Sequence, residues 1–130
     1  MQFGPPLLDL LMSEEGVALR SVFRERRLAN GALFRDADDN DQVFVVKTGR
    51  LRIYLATQER ELSIAYLTVG DMYSTHTRAH LQAVQPTVLL MARRDVLMHE
   101  LARYPALRAA IIRVLARVLN QALTIIEDLA

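Results

Sequence analysis

The sequence of 130 residues is 52% hydrophobic, carries a formal net charge of +1 and contains no cysteine. This length fits one domain with a substantial core, and the apolar fraction excludes an intrinsically disordered chain. The charge gives no overall attraction to nucleic acid or to a membrane, and the lack of cysteine excludes disulfides and zinc–thiolate sites. No secretory signal and no apolar run of membrane-spanning length is visible, so we expect a cytoplasmic protein.

The N-terminal third combines a helix with strand-like segments. Two prolines precede the apolar segment LLDLLM, which predicts a short helix because proline is favoured in the first helical turn. The segment Arg24–Leu33 is strand-like and contains an Asn30-Gly31 turn signal. The acidic run DADDND at 36–41 lacks the glycine and the distal glutamate of a calcium loop, so we interpret it as a solvated turn.

The stretch from Val43 to His76 has the clearest strand pattern. Val43–Val46 is a continuous β-branched and aromatic run, typical of a strand buried on both faces. Leu51–Leu55 and Leu62–Tyr66 alternate apolar and other residues around a polar turn, as half-buried strands do. Because Gly49 can take positive φ, we expect a hairpin there and an antiparallel meander that ends at His76.

Two further strands and two helices follow. Arg78–Val84 alternates again, and Val88–Met91 forms a last apolar strand. Asp95 begins a helix that is broken at Pro105, and one long helix then runs from Ala106 to about Leu129. The pattern predicts a mainly β fold with helices at both ends.

The long helix carries two apolar stripes. The first has the coiled-coil spacings of 4, 3, 4, 3 and 4 residues, and the second lies beside it. The first stripe consists of Ile111, Leu115, Val118, Ala122, Ile125 and Leu129, and the second of Ile112, Leu119, Leu123 and Ile126. A helix that packs only on its own domain needs one stripe. We therefore expect a homodimer with the first stripe as its seam. The alternative is a monomer with one wide stripe that faces its core.

Several strings in the sequence resemble the sensor domain of the CRP/FNR transcription regulators, and most closely the haem-based carbon monoxide sensors of that family. The matching strings are VFVVKTGRLRIYL (Val43–Leu55), ERELSIAYLTVGDMY (Glu59–Tyr73), His76 and IEDL (Ile126–Leu129). The resemblance implies a double-stranded β-helix, or jelly roll, of the cyclic-nucleotide-binding type with N-terminal helices over 1–104, and a dimerisation helix over 105–130. DNA binding would then belong to a C-terminal domain that is missing from these residues.

The resemblance also implies a haem b site. His76 stands where these sensors have the proximal ligand of the iron, and a neutral imidazole is a good ligand for iron. Ile112, Leu115 and Ala116 would line the distal side, where carbon monoxide or another diatomic gas binds.

Two departures from the pattern concern the other iron ligands. The N-terminal proline of these sensors is replaced by Gln2. The amine of Met1 is therefore a candidate second ligand, and the alternative is an N-terminus that takes no part. Ser74 replaces the cysteine that ligates the oxidised iron, so we expect no thiolate ligation.

Three other functions are weighed against a haem sensor. Only MYSTHT follows Gly70-Asp71 before the next strand, which leaves no place for the helix, glutamate and phosphate-binding motif of cyclic-nucleotide-binding relatives. A metal enzyme would need three or four converging ligands, whereas His80 and His99 are expected to be exposed. A small-ligand or interaction module without haem remains the main alternative.

Overall fold

The computed structural model describes residues 7–13, 17–34, 42–75 and 79–129. Its helices are α1 (Leu7–Met12), α2 (Val17–Arg20), α3 (Arg94–Leu101) and α4 (Pro105–Leu129). Its strands are β1 (Arg24–Leu28), β2 (Leu33–Phe34), β3 (Gln42–Thr48), β4 (Leu51–Ala56), β5 (Glu61–Leu67), β6 (Met72–Ser74), β7 (His80–Ala83) and β8 (Thr87–Arg93). The predicted mainly β fold with a long C-terminal helix is confirmed.

The strands form two antiparallel four-stranded sheets. The first sheet has the order β1-β8-β3-β6 and the second the order β2-β7-β4-β5. Among the described strands, only β4 and β5 are neighbours both in sequence and in a sheet. The chain otherwise crosses from one sheet to the other between consecutive strands, which is the winding of a jelly roll.

The predicted hairpin between β3 and β4 is wrong, although the turn itself is where the sequence indicated. Gly49 has a φ of 96°, but the turn carries the chain from the first sheet to the second. The backbone passes close to β8 at this corner, because a Cβ on Gly49 would lie 2.6 Å from Thr87 Cα. The hydroxyl of Thr87 also accepts a hydrogen bond from Arg50 N at 3.1 Å. The predicted meander is therefore limited to the β4–β5 pair.

Strand β3 is buried on both faces, as its continuous apolar run predicted. Phe44 and Val46 belong to a core between the two sheets, together with Leu51 and Ile53 of β4. Val43 and Val45 point the other way, into a second core between the first sheet and the helices. That core also includes Leu11, Leu19, Leu90, Leu97, Leu101 and Ile111. The inter-sheet core and the helical core thus lie on opposite sides of the first sheet.

Candidate functional site

The predicted iron ligands His76 and Met1 lie outside the described residues, but the strand that leads to His76 is well fixed. Strand β6 pairs with β3 through Met72, Tyr73 and Ser74. Thr75 extends this pairing, because its amide donates to Gln42 O at 2.9 Å. The Thr75 hydroxyl accepts from Gln42 N at 3.1 Å and is 3.2 Å from Gln42 O. The residue before His76 is therefore held by both its backbone and its side chain.

The Gly-Asp turn before β6 is equally constrained. Gly70, with a φ of 90°, donates its amide to Val46 O at 2.8 Å, and Val46 N donates to Asp71 O at 2.9 Å. The carboxylate of Asp71 folds back and accepts from Thr68 N at 2.7 Å. The turn is thereby joined to the middle of β3 and presents a carboxylate that is only 8% exposed.

This carboxylate binds the long helix α4. Arg117 Nη2 donates to Asp71 Oδ2, the same oxygen that accepts from Thr68. One helical turn later, Gln121 Oε1 accepts a hydrogen bond from Tyr66 N at 3.1 Å. Since β5 is an edge strand, Gln121 satisfies an amide that no neighbouring strand can reach. Two polar side chains four residues apart thus connect α4 to the β5–β6 corner.

The inner face of α4 packs on both cores, which corrects the predicted dimer seam. Ile111 is buried in the helical core and Val118 in the inter-sheet core, with 9% and 7% of their surfaces exposed. Val114 packs beside Ile111. Two members of the first stripe therefore contact their own domain, and the seam cannot be the complete first stripe.

The exposed apolar side chains of α4 instead form a strip along its other face. This apolar strip consists of Ile112, Leu115, Leu119, Leu123 and Ile126, which are 66%, 46%, 60%, 48% and 55% exposed. Its members follow one another at spacings of 3, 4, 4 and 3 residues, which keeps them on one side of a helix. The strip contains all of the predicted second stripe, with Leu115 taken from the first.

The predicted distal residues lie on α4, at and next to this strip. Ile112 and Leu115 are members of it, and the neighbouring Ala116 is also exposed. Arg117 lies about 140–160° around the helix from Ile112 and Leu115, so its ion pair to Asp71 is on a different face of α4. Helix α4 as a whole contacts β5 and β6, and the role of Ile112, Leu115 and Ala116 as a haem lining stays a prediction.

The two described histidines lie apart from the β5–β6 corner. His80 is exposed on β7, as expected, and its ring stacks on Tyr54 with a centroid separation of 5.2 Å. The guanidinium of Arg52 covers the Tyr54 ring at 4.1 Å. His99 is exposed on α3. Within the described ranges, no group of three His, Cys, Asp or Glu side chains is placed to hold a metal ion.

Sequence reasoning missed the polar connection between α4 and the roll. Arg117 and Gln121 flank Val118, the residue that enters the inter-sheet core. Polar residues at positions i and i+4 beside a buried stripe position are the signal that could have been used. Asp71 was noticed only as part of a turn, because a turn aspartate is usually solvated.

No helix in the described part of the chain is long and apolar enough to cross a membrane. No model of a protein family and no curated protein matches the chain.

Solved structures match the chain over its whole length. The haem domain of CooA from Rhodospirillum rubrum is 34% identical with a TM-score of 0.85, and the alignment covers 99% of this chain and 97% of that one. A CooA mutant from Carboxydothermus hydrogenoformans is 34% identical with a TM-score of 0.92, over 100% of this chain and 90% of that one. The catabolite activator protein of Thermus thermophilus is 25% identical with a TM-score of 0.68, over 96% and 63% of the two chains. The chain therefore belongs to the CRP/FNR family of transcription regulators, as a CooA-like sensor domain.

Proposed function

We propose that this chain binds haem b and senses carbon monoxide or another diatomic gas, with His76 as the proximal iron ligand. The observation that carries the proposal is the similarity to CooA, which is called a CO-dependent transcription factor in Carboxydothermus hydrogenoformans and has a haem domain in Rhodospirillum rubrum. Ferrous haem, when bound, supplies the coordination position for the gas. In this proposal the chain has no catalytic role.

The described residues around the site fit a haem group. A porphyrin needs apolar surface on its faces and cations near its carboxylates. Ile112 and Leu115 offer apolar side chains that are not used by either core, and Ala116 leaves space beside them. Arg117 lies on another face of α4 and is paired with Asp71, so it is not assigned to the haem carboxylates.

The residues of the chain would transmit the signal through α4. Thr75 fixes the start of the segment with His76 at one end of β6, while Arg117 and Gln121 fix the helix to the β5–β6 corner at its other end. Gas binding beside the proposed distal residues would therefore act on a helix that is attached to the roll at two points, Arg117 and Gln121. We expect such a helix to switch between two packed arrangements rather than to shift its position continuously.

We further propose that the chain forms a homodimer through the apolar strip. Five aliphatic side chains on one helix face are each 46–66% exposed. Together they form a continuous apolar patch, unlike the scattered apolar residues that are normal on the surface of a monomer. A second copy of α4 would cover Leu119, Leu123 and Ile126, the members of the strip that are not proposed to line the haem. Residues 1–104 would then form the sensing roll and 105–130 the dimerisation helix, with DNA contacted by a domain outside this chain.

The test of haem ligation is an absorption spectrum of the protein expressed with a supply of haem. We expect a ferrous Soret band that shifts when carbon monoxide is added. His76→Ala should abolish or strongly change the ferrous band, whereas His80→Ala should leave it unchanged, because His80 is exposed on β7 and stacked on Tyr54. Met1 would be tested as the second ligand by acetylation of its amine, which should change the ferrous spectrum.

The control His80→Ala makes the outcome decisive, since both variants remove one imidazole. Equal spectra for the two variants would remove His76 from the proposal. A protein that binds no haem at all would favour a module for another small ligand.

A further inference from the structure

A cleft of about 300 Å³ opens on the opposite side of β3 from the inter-sheet core. It exists because β1 begins at Arg24, paired with Met91, while β8 continues to Arg93 beside β3. The segment before β1 and the start of α3 complete its walls. Because β8 extends beyond the start of β1, a recess remains at the edge of the sheet. Its volume lies at the lower end of the range for small-molecule sites.

The walls and the deeper part of the cleft are mainly apolar. Val22, Phe23 and Val96 line it, together with Ala92. Gln42 also lines it, and Gln42 and Ala92 are each only 3% exposed. These two nearly covered residues form the floor of the cleft, while Val22, Phe23 and Val96 form its more exposed walls.

Two arginines line the cleft, and one of them, Arg24, gives it a positive charge. Arg93 already holds Asp95 at 2.8 Å. Arg24 lacks a carboxylate partner among the residues that the structure describes, and its Nη2 makes only a long hydrogen bond of 3.4 Å to Gln42 Oε1. Asp95 also accepts from Val96 N, so it is held at the start of α3 and does not reach across to Arg24. A guanidinium that has no carboxylate partner among the described residues, at the edge of an apolar recess, is suited to an anionic group on an apolar ligand.

We propose that this cleft is a second ligand site, separate from the haem site, and that it binds a small monocarboxylate with an aliphatic chain. The carboxylate pairs with Arg24, and Gln42 provides a further hydrogen-bonding group. The chain packs against Phe23 and Val96 above Ala92. The site is independent of haem, because none of its lining residues belongs to the predicted haem lining.

The cleft is nevertheless connected to Thr75, the residue before His76, through the hydrogen bonds of Gln42. The side chain of Gln42 contacts Arg24, while its backbone binds both the amide and the hydroxyl of Thr75. A ligand that draws Arg24 away from Gln42 would alter the environment of the residue that anchors Thr75. Binding should therefore be visible at Thr75 as well as in the cleft.

The proposal is tested by calorimetric titration of the 130-residue protein without haem. Hexanoate is the probe, hexanol tests the need for the charge, and inorganic phosphate tests the need for the chain. We expect hexanoate to bind at least about tenfold more tightly than either control, because hexanol lacks the charge-assisted hydrogen bond, which is worth about that factor, and phosphate lacks the apolar chain to bury. The amide resonances of Phe23, Gln42, Thr75 and Val96 should shift on titration.

Two substitutions localise the binding, with a third as the control. Arg24→Gln and Val96→Asp should each weaken hexanoate by about tenfold or more, through loss of the cation and through repulsion. Arg27→Gln removes the same charge from β1, at a side chain that is 82% exposed and outside the cleft, and should leave the affinity unchanged. Thermal unfolding would confirm that each variant is folded.

Several outcomes would overturn the proposal. Hexanol that binds as tightly as hexanoate would make the cleft an apolar site without a role for Arg24. Phosphate that binds equally well would make it a simple anion site. No hexanoate binding at millimolar concentration, or equal weakening by Arg27→Gln, would exclude the site. An acidic peptide that binds through Arg24 when hexanoate does not would indicate a protein contact instead.

Discussion

Substitution of Leu119 by glutamate should convert the proposed dimer into a folded monomer. Leu119 is the middle member of the apolar strip and is 60% exposed, so its own domain does not depend on its burial. Each helix would place this carboxylate in the centre of the dimer contact. Two charges would then be buried near each other without cations to pair them.

The magnitude follows from the exposed fractions of the strip. Its five members are between 46% and 66% exposed. Leu119, Leu123 and Ile126 are 60%, 48% and 55% exposed. Because full burial of one such side chain is worth about 1.5–3 kcal/mol, covering these three stabilises the dimer by roughly 2–5 kcal/mol per chain, or about 5–10 kcal/mol for both chains. Association itself costs about 4–15 kcal/mol in lost motion. The gain is of the same size as this cost, so one buried charge per chain should be enough to prevent association.

Sedimentation velocity over a range of concentrations measures the result directly. Leu33→Glu is the matched control, since Leu33 is 47% exposed on β2, at the opposite edge of the second sheet from the β5 strand that α4 contacts. We expect the control to dimerise like the parent protein. A dimer that survives Leu119→Glu, or a control that also dissociates, would refute the assignment of the strip as the interface.

Two further substitutions test the structural description. Arg117→Gln leaves the Asp71 carboxylate with its Thr68 contact only. The free energy of unfolding in urea should fall by about 1–2 kcal/mol, a modest loss because Arg117 is partly exposed. An unchanged urea midpoint would contradict a structural role for this pair. Gly49→Ala should cost at least about 2 kcal/mol because of its positive φ and its approach to β8. Gly31→Ala also has positive φ but open space around it, so a loss as large as that of Gly49→Ala would show that steric contact is not the cause.

The strands were largely predictable because their patterns are local. The run Val43–Val46 is buried on both sides, and Leu51 and Ile53 face the inter-sheet core, as the alternation indicated. Leu55, which continues the same alternation, is 42% exposed near the end of β4. Position along a strand decides this burial, and the alternating pattern does not contain that information.

The pairing of the strands was not predictable from the same signals. A glycine with positive φ is compatible both with a hairpin and with a turn that connects two sheets. The presence of Gly49 in the sequence therefore did not indicate which of the two forms. The choice depends on Thr87 and the rest of β8, about forty residues later, which occupy the space beside the turn. Such non-local packing has no signature in a short window of sequence.

The role of each stripe on α4 was also decided by tertiary contacts. Both stripes have helical spacing, and the first has the better coiled-coil pattern. Ile111 and Val118 are nevertheless buried in two separate cores. Leu115, from the same stripe, is instead exposed beside the second stripe. The proximity of Asp71 to Arg117 likewise depends on how the roll and the helix meet, since 46 residues separate them.

The central position of β3 has a consequence for how the chain folds. Its neighbours in the first sheet are β6 and β8, and β1 pairs only with β8. The sheet therefore cannot close until residues up to Arg93 are available, which makes folding dependent on contacts between distant parts of the chain. Chains with such contacts fold slowly, in milliseconds to seconds. During synthesis on the ribosome, the apolar run Val43–Val46 would lack one of its two neighbouring strands until β8 emerges, and a chaperone that shields this segment would raise the yield of folded protein.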